Sequence, residues 1–263
     1  MCGIAGYSLS ADSRVQRTLA AQALLAGIAE RGADAVGYGW RAQDGSVEVR
    51  KRRSGASELL DEVAVPAHAS QVLVHVRDYT KGHPRIEANN HPVRHGAVVG
   101  VHNGIIVNDE ELFAAYGFER AEPEMTVDSE AIFALVERAG GDPRVLEQLR
   151  GSMATAWLDE RRPDAVYLAR SVGRPLWVGH TRREVFFAST RHALEIVEAT
   201  LRMTLTKREV GDGTLLALEH GRVVRHERFT PDRSHVETPL PAVRAPLEGE
   251  SCLRLLAAIV ATL

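Results

Sequence analysis

The sequence predicts an α+β fold in which two stacked antiparallel sheets are covered by helices on their outer sides. Two observations lead there. From residue 153 onward, short apolar runs alternate with charged turns such as 159–162 and 181–184, at the spacing of antiparallel hairpins. Helical periodicity, by contrast, is confined to a few isolated stretches lying between strand-like runs.

Residues 2–9 are apolar and read as a short buried strand. Residues 13–31 carry Val15, Leu19, Ala23, Leu24 and Ile28 at helical spacing, with Ser13 as the expected N-cap and Gly32 just past the end. Strands are expected at 35–42 and 47–51, joined by the hairpin chemistry of Gln43-Asp44-Gly45. Two more buried strands fall at 71–76 and 97–102, and a helix at 126–139 is opened by Asp128 and Glu130. Strands follow at 153–158, 165–169, 175–180 and 185–188, then a helix near 193–200. Strands at 214–219 and 223–227 turn through His220-Gly221-Arg222.

The tail differs from the rest. Residues 238–246 contain three prolines and read as an extended linker. Beyond it Leu253, Leu255, Leu256, Ile259, Val260 and Leu263 form a short apolar helix. The expected organisation is one domain over 1–233, a linker over 234–250 and a helix over 251–263. Such a helix docks on its own domain or on another subunit, the second arrangement making a homo-oligomer.

Composition narrows the classes of function. The chain has 263 residues, 44% of them hydrophobic and 25% charged, with a formal net charge of −3. That balance gives no expectation of nucleic acid or an anionic membrane as partner. The apolar stretch 19–28 is too short to span a bilayer and is not preceded by the flank of a signal peptide. Two cysteines, Cys2 and Cys252, make no disulfide framework and fit a reducing cytoplasm.

Four segments could carry chemistry. Removal of Met1 would leave Cys2 with a thiol and an α-amine on one residue, and the amine's ordinary pKa of about 8 lets it act as base. Val101-His102-Asn103-Gly104 could aim the Asn103 amide and the Gly104 N–H at one oxyanion, although a plain strand-ending Asn-Gly turn explains the same pair. In the loop from Arg77 to Gly82, Arg77 and Thr80 suit a carboxylate, against the alternative of an exposed charged loop. Asp128, at a helix start, suits an ammonium, but helix capping also favours Asp there.

Taken in order, these segments resemble the class II, N-terminal-nucleophile glutamine amidotransferases, most closely the glutaminase domain of glutamine–fructose-6-phosphate aminotransferase. The likeness begins with Cys2-Gly3-Ile4 and continues through Arg31-Gly32-Ala33-Asp34-Ala35-Val36-Gly37, Asn89-Asn90-His91-Pro92 and Asp128-Ser129-Glu130. Later matches are Arg170-Ser171, Pro175-Leu176 and Phe187-Ala188-Ser189, and the likeness runs to about Phe229. The resemblance implies a four-layer αββα sandwich that hydrolyses L-glutamine to glutamate and ammonia through a Cys2 thioester. It implies Cys2 as nucleophile and base, Asn103 and Gly104 as oxyanion hole, Arg77 and Thr80 on the substrate carboxylate, and Asp128 on its ammonium. No cofactor and no metal are implied. Asp78, Tyr79 and Lys81 stand where the family's loop commonly has Trp, Ala and His. The sugar-isomerase half has no counterpart in these 263 residues, so a separate synthase is expected to accept the ammonia.

Three rivals remain open. A metal site built from His75, His83, His91, His95 and His102 is opposed by Pro92 and by the lack of an acidic or Cys partner. A catalytically silent amidotransferase-fold binding or assembly module would have lost one of the essential residue types. A hydrolase of another amide would not need Arg77, Thr80 and Asp128 together.

Overall fold

Strand β1 (Gly3–Leu9) opens the computed structural model, which describes residues 2–236 and 241–263, and every residue of this apolar strand is buried. Helix α1 (Arg17–Ile28) follows, prolonged by a tighter turn at Ala29–Arg31. From Leu19 to Ile28 all its residues are buried, because it lies between a sheet and two other helices. Ser13 does not cap it. The residue before the helix is Gln16, and the Ser13 hydroxyl accepts from Val15 N at 3.3 Å in a local turn instead.

Strands β2 (Ala35–Arg41) and β3 (Val47–Arg52) form the expected hairpin, its turn tied by Ser46 N donating to Asp44 Oδ1 at 3.0 Å. After β4 (Gln71–Arg77), the short β5 (Val93–His95) pairs with the long β6 (Val98–Ile106). Helices α2 (Asp109–Tyr116) and α3 (Glu130–Ala139) come next, then β7 (Gly151–Asp159), β8 (Ala165–Arg170), β9 (Trp177–His180) and β10 (Glu184–Ala188). Helix α4 (Arg191–Leu201), strands β11 (Thr206–Glu209), β12 (Thr214–Glu219) and β13 (Arg222–Arg228), and helix α5 (Pro246–Ala261) complete the chain.

The strands make two antiparallel sheets, ordered β11-β9-β10-β1-β4-β2-β3 and β13-β12-β8-β7-β6-β5. Three apolar clusters define the layers. One joins the first sheet to α1, α4 and α5; one joins the second sheet to α2 and α3; the third fills the space between the sheets with residues such as Ile4, Leu73, Val101 and Phe187. The αββα sandwich expected from the resemblance is the observed architecture.

Three differences from the sequence reading matter. First, β6 does not stop at His102 but continues to Ile106, so Asn103 and Gly104 lie inside a paired strand, opposite Ala154 and Met153. Second, β5, β11 and α2 carried no strong pattern: Thr-Lys-Arg-Glu in β11 has no apolar residue, and an exposed edge strand needs none. Third, α5 begins at Pro246, within the stretch read as linker, because proline suits the first position of a helix. Residues 237–240 of that linker lie outside the described residues.

Helix α5 returns onto its own sandwich. Gly249, Cys252 and Leu256 are buried against α1 and the turn at Ala29–Arg31, while Leu247, Leu253 and Leu255 face outward. Among the described residues no helix is long and apolar enough to cross a membrane.

Candidate active site

The site forms where the starts of β1 and the ends of β4 lie over the middle of β6. Gly3 pairs with Val76, which places Cys2 beside Arg77 at the rim of the first sheet. Ser189 clamps this entry point: its buried hydroxyl accepts from Ile4 N at 2.9 Å, and its own N donates to Ile4 O at 2.9 Å. From β4, the His75 ring meets the carbonyl of His102 across the sheets at 3.1 Å through Nε2. That contact registers the sheet of Cys2 against the residue immediately before Asn103.

Two backbone segments grip Cys2. Arg31, buried at the end of the turn following α1, donates from Nε to Cys2 O at 2.8 Å. The thiol itself donates to the carbonyl of Asp78 at 3.4 Å. Gly32 lets these segments meet, since a Cβ there would sit 2.4 Å from the Arg77 carbonyl oxygen. Burial pushes the Cys2 thiol up from its ordinary value, and the Arg77 and Arg31 guanidinium charges pull it back. Protonated thiol therefore dominates, and attack on an amide needs a base to take the proton.

Asn103 is wholly buried, yet neither its Oδ1 nor its Nδ2 has a hydrogen-bond partner among the described residues. Buried side-chain amides are normally satisfied, so an orphaned one marks a group kept for something that binds. Gly104 adopts a φ of +147°, and a Cβ there would lie 1.9 Å from the Ser152 carbonyl oxygen. Only glycine fits that conformation. Two residues from the start of α3 fix this segment on either side. Ser129 Oγ meets His102 Nδ1 at 2.8 Å, and Asp128 Oδ2 accepts from Ile106 N at 2.7 Å.

Asp128 is 3% exposed, and burial raises its carboxyl from 3.8 to about 6, the Ile106 N–H opposing the shift. It acts electrostatically on Cys2 and on Arg77, so these three groups lie near one another. A carboxylate held by one N–H keeps acceptor capacity for a cationic ligand.

Arg77 is 2% exposed, but its guanidinium is heavily engaged. Nη1 donates to Asn90 Oδ1 at 2.6 Å and to the Asn89 carbonyl, and Nη2 to the Lys81 carbonyl at 2.8 Å and to that of Gly82. In this state Arg77 organises the 81–90 loop. Thr80 is exposed on the same loop, next to Lys81, whose ammonium is clamped by both Asp109 oxygens at 2.8 Å. The structure thus brings Cys2, Arg77 and Asp128 into one electrostatic group and leaves Thr80 on the outer side of the loop. Tyr79 is also exposed, its ring 5.4 Å from that of His83.

Arg31 is a site residue that pattern and spacing did not single out. Its Nη2 is buried without a partner, although its Nε holds Cys2. The signal in the sequence was the Arg31-Gly32 pair, which reads as an ordinary helix end. Of the clustered histidines, His75 and His91 stack at 4.2 Å, and burial lowers the pKa of both, so they are neutral. His95 turns away to Glu130 at 2.9 Å.

Residues 82–196 match the glutamine amidotransferase domain family. Glutamine–fructose-6-phosphate aminotransferase (isomerizing) of Escherichia coli O6:H1 strain CFT073 is 36% identical over 207 residues, covering 74% of this chain and 32% of that protein. The corresponding protein of Yersinia pseudotuberculosis serotype I is 34% identical over 210 residues, with the same coverage. The chain thus spans about a third of the length of the curated relatives it matches. Among solved structures, a glutamine phosphoribosylpyrophosphate amidotransferase from B. subtilis superposes with a TM-score of 0.64 at 21% identity, over 86% of this chain and 49% of that one. A glutamine aminotransferase class-II domain protein from Silicibacter pomeroyi superposes with a TM-score of 0.56 at 16% identity, over 88% of this chain and all of that one. These structures share the fold. Residues 82–196 thus carry a glutamine amidotransferase domain, in the sandwich fold that these solved structures share.

Proposed function

We propose that this protein hydrolyses the side-chain amide of L-glutamine, giving glutamate and ammonia, with Cys2 as nucleophile. The observation that supports the reading most directly is the orphaned, fully buried Asn103 amide beside Gly104, on the strand registered against the nucleophile's sheet. Once Met1 is removed, the Cys2 α-amine takes the thiol proton as sulfur attacks the amide carbon. The oxyanion accepts from Asn103 Nδ2 and the Gly104 N–H. The C–N bond breaks with the proton delivered to nitrogen, ammonia leaves, and water hydrolyses the thioester to release glutamate and restore the thiol. Asp128 holds the substrate ammonium. Arg77 and Thr80 hold its carboxylate, which requires the 81–90 loop to reorganise, because the Arg77 η nitrogens are engaged by it.

Ammonia released in this way is proposed to pass to a separate synthase. The outward Leu247, Leu253 and Leu255 of α5 support a contact with another subunit, either that synthase or a second copy in a homo-oligomer. Two free thiols suit the reducing cytoplasm proposed as its compartment.

The direct test is incubation of the purified protein with L-glutamine, following glutamate and ammonia, together with its intact mass. Equal release of both products by protein lacking Met1 is expected, and no release from such protein would sink the reading. The titration of Asp128 adds a second expectation. The carboxylate form pairs with ammonium, so kcat/KM should fall as pH drops below about 6, approaching tenfold per unit. Asp128→Asn should remove that acid limb along with most activity. Stability should move the other way. The folded pKa of Asp128 lies above its ordinary 3.8, so its ionisation costs stability as pH rises from about 4 through 6. Asp128→Asn, which can still accept from Ile106 N, should therefore melt higher than the parent at neutral pH. An unchanged acid limb in Asp128→Asn would assign the titration to another group.

A further inference from the structure

The segment leading into α5 reaches the backbone on either side of Cys2. Arg244 N and Ala245 N both donate to the carbonyl of Glu30, at 2.9 and 2.8 Å, and Glu30 is the neighbour of the Arg31 that holds Cys2 O. The Arg244 side chain then crosses to the other grip: its Nε meets Asp78 Oδ2 at 3.1 Å. Asp78 is the residue whose carbonyl accepts the Cys2 thiol. One arginine thus touches both backbone segments between which Cys2 is held.

The segment is well anchored behind this point. Glu248 accepts from Ser57 N and Ser57 Oγ, both at 3.0 Å. A Cβ on Gly249 would sit 2.8 Å from Glu30 Cβ, and Cys252 and Leu256 are buried in the α1 cluster. A firmly seated segment can impose a position on a loop, whereas a fraying one cannot. Asp34 already fixes the neighbours of Asp78, with Asp34 N donating to Arg77 O at 2.9 Å and Asp34 Oδ2 accepting from Tyr79 N at 2.9 Å.

We infer that Arg244 is a positioning residue for the nucleophile: by holding the Asp78 carboxylate, it keeps the Asp78 carbonyl against the Cys2 thiol. The inference rests on the proposed function for its catalytic consequence, but not for its structural one. The Sγ–H···O contact favours the protonated thiol and sets the direction from which sulfur approaches an amide. Losing it should make the thiol more reactive towards a small unspecific electrophile and less effective towards glutamine.

The test compares the full-length protein with Arg244→Ala, Arg244→Lys, Asp78→Asn and the Arg244→Ala/Asp78→Asn double variant. A half-exposed ion pair sets a modest scale, so Arg244→Ala should lower kcat about fivefold. KM should stay within about twofold, since ground-state binding does not run through this pair. Alkylation of Cys2 by iodoacetamide, read by peptide mass spectrometry, should accelerate in Arg244→Ala. Lysine should restore most of both properties, and the double variant should be no worse than either single one. Unchanged turnover and alkylation in Arg244→Ala, effects that multiply in the double variant, or a loss that follows a lowered melting temperature and is not rescued by lysine would each overturn the inference. Absence of turnover in the parent protein would remove the proposed function instead, while the alkylation comparison would still decide whether Arg244 positions Cys2.

Discussion

Replacing Cys2 with alanine should abolish glutamine hydrolysis, lowering kcat by about 10⁴-fold or more, because no group remains to form the thioester. The thiol is gripped on both sides, by Arg31 at its own carbonyl and by the Asp78 carbonyl at sulfur, and no second thiol lies near it. Cys252, the other cysteine, is buried in the α5 interface, and burial pushes its pKa up to about 12. It is poorly placed and poorly ionised for attack. Cys252→Ser should therefore keep turnover, and labelling by a glutamine-like electrophile should map to Cys2 alone by peptide mass spectrometry. Substantial ammonia release from Cys2→Ala would place the chemistry elsewhere.

Asn103→Ala should reduce kcat by about 10²–10³-fold with a much smaller change in KM, the cost of losing one preorganised oxyanion donor. Its effect on stability separates this role from a structural one. An amide that completes a network destabilises the fold when removed, but both polar atoms of Asn103 are buried and unpartnered. Their loss should leave the melting temperature unchanged or raise it slightly, measured by calorimetry on the same preparation used for kinetics. A large fall in melting temperature, with KM raised and kcat retained, would make Asn103 a packing or substrate-positioning residue.

The sandwich was legible because its inner strands are apolar on both faces, a pattern that survives without knowledge of pairing. Strands β1, β4, β7 and β10 were placed to within two residues at each end, and all are fully buried. The eight-residue helix α2 escaped, although Asp109, Glu110 and Glu111 in its first turn and Gly117 beyond its end were available as signals. Its apolar residues Leu112 and Phe113 are adjacent, and two neighbours do not establish a period. Around the site, Cys2, Asn103 and Asp128 could be named because each residue type has a chemistry. The extent of β6 could not, since Asn-Gly ordinarily ends strands and only the pairing with β7 shows that here it does not. Arg31 and Arg244 were hidden for a related reason. Their roles depend on which carbonyl and carboxylate the fold brings to them, and Cys2 and Asp78 are far away in sequence.

The place of β1 between β10 and β4 has a kinetic consequence. Chain ends ordinarily exchange their amide protons first, because terminal residues open without disturbing anything else. Here the strand that begins one residue after Cys2 is hydrogen-bonded on both edges and lies near the centre of a seven-stranded sheet. Amides of Ala5 and Tyr7 should exchange with deuterium among the slowest in the molecule, on the timescale of global unfolding rather than of fraying. The Cys2 sulfur would then keep its setting until the whole sandwich opens, so heat should extinguish activity and fold together.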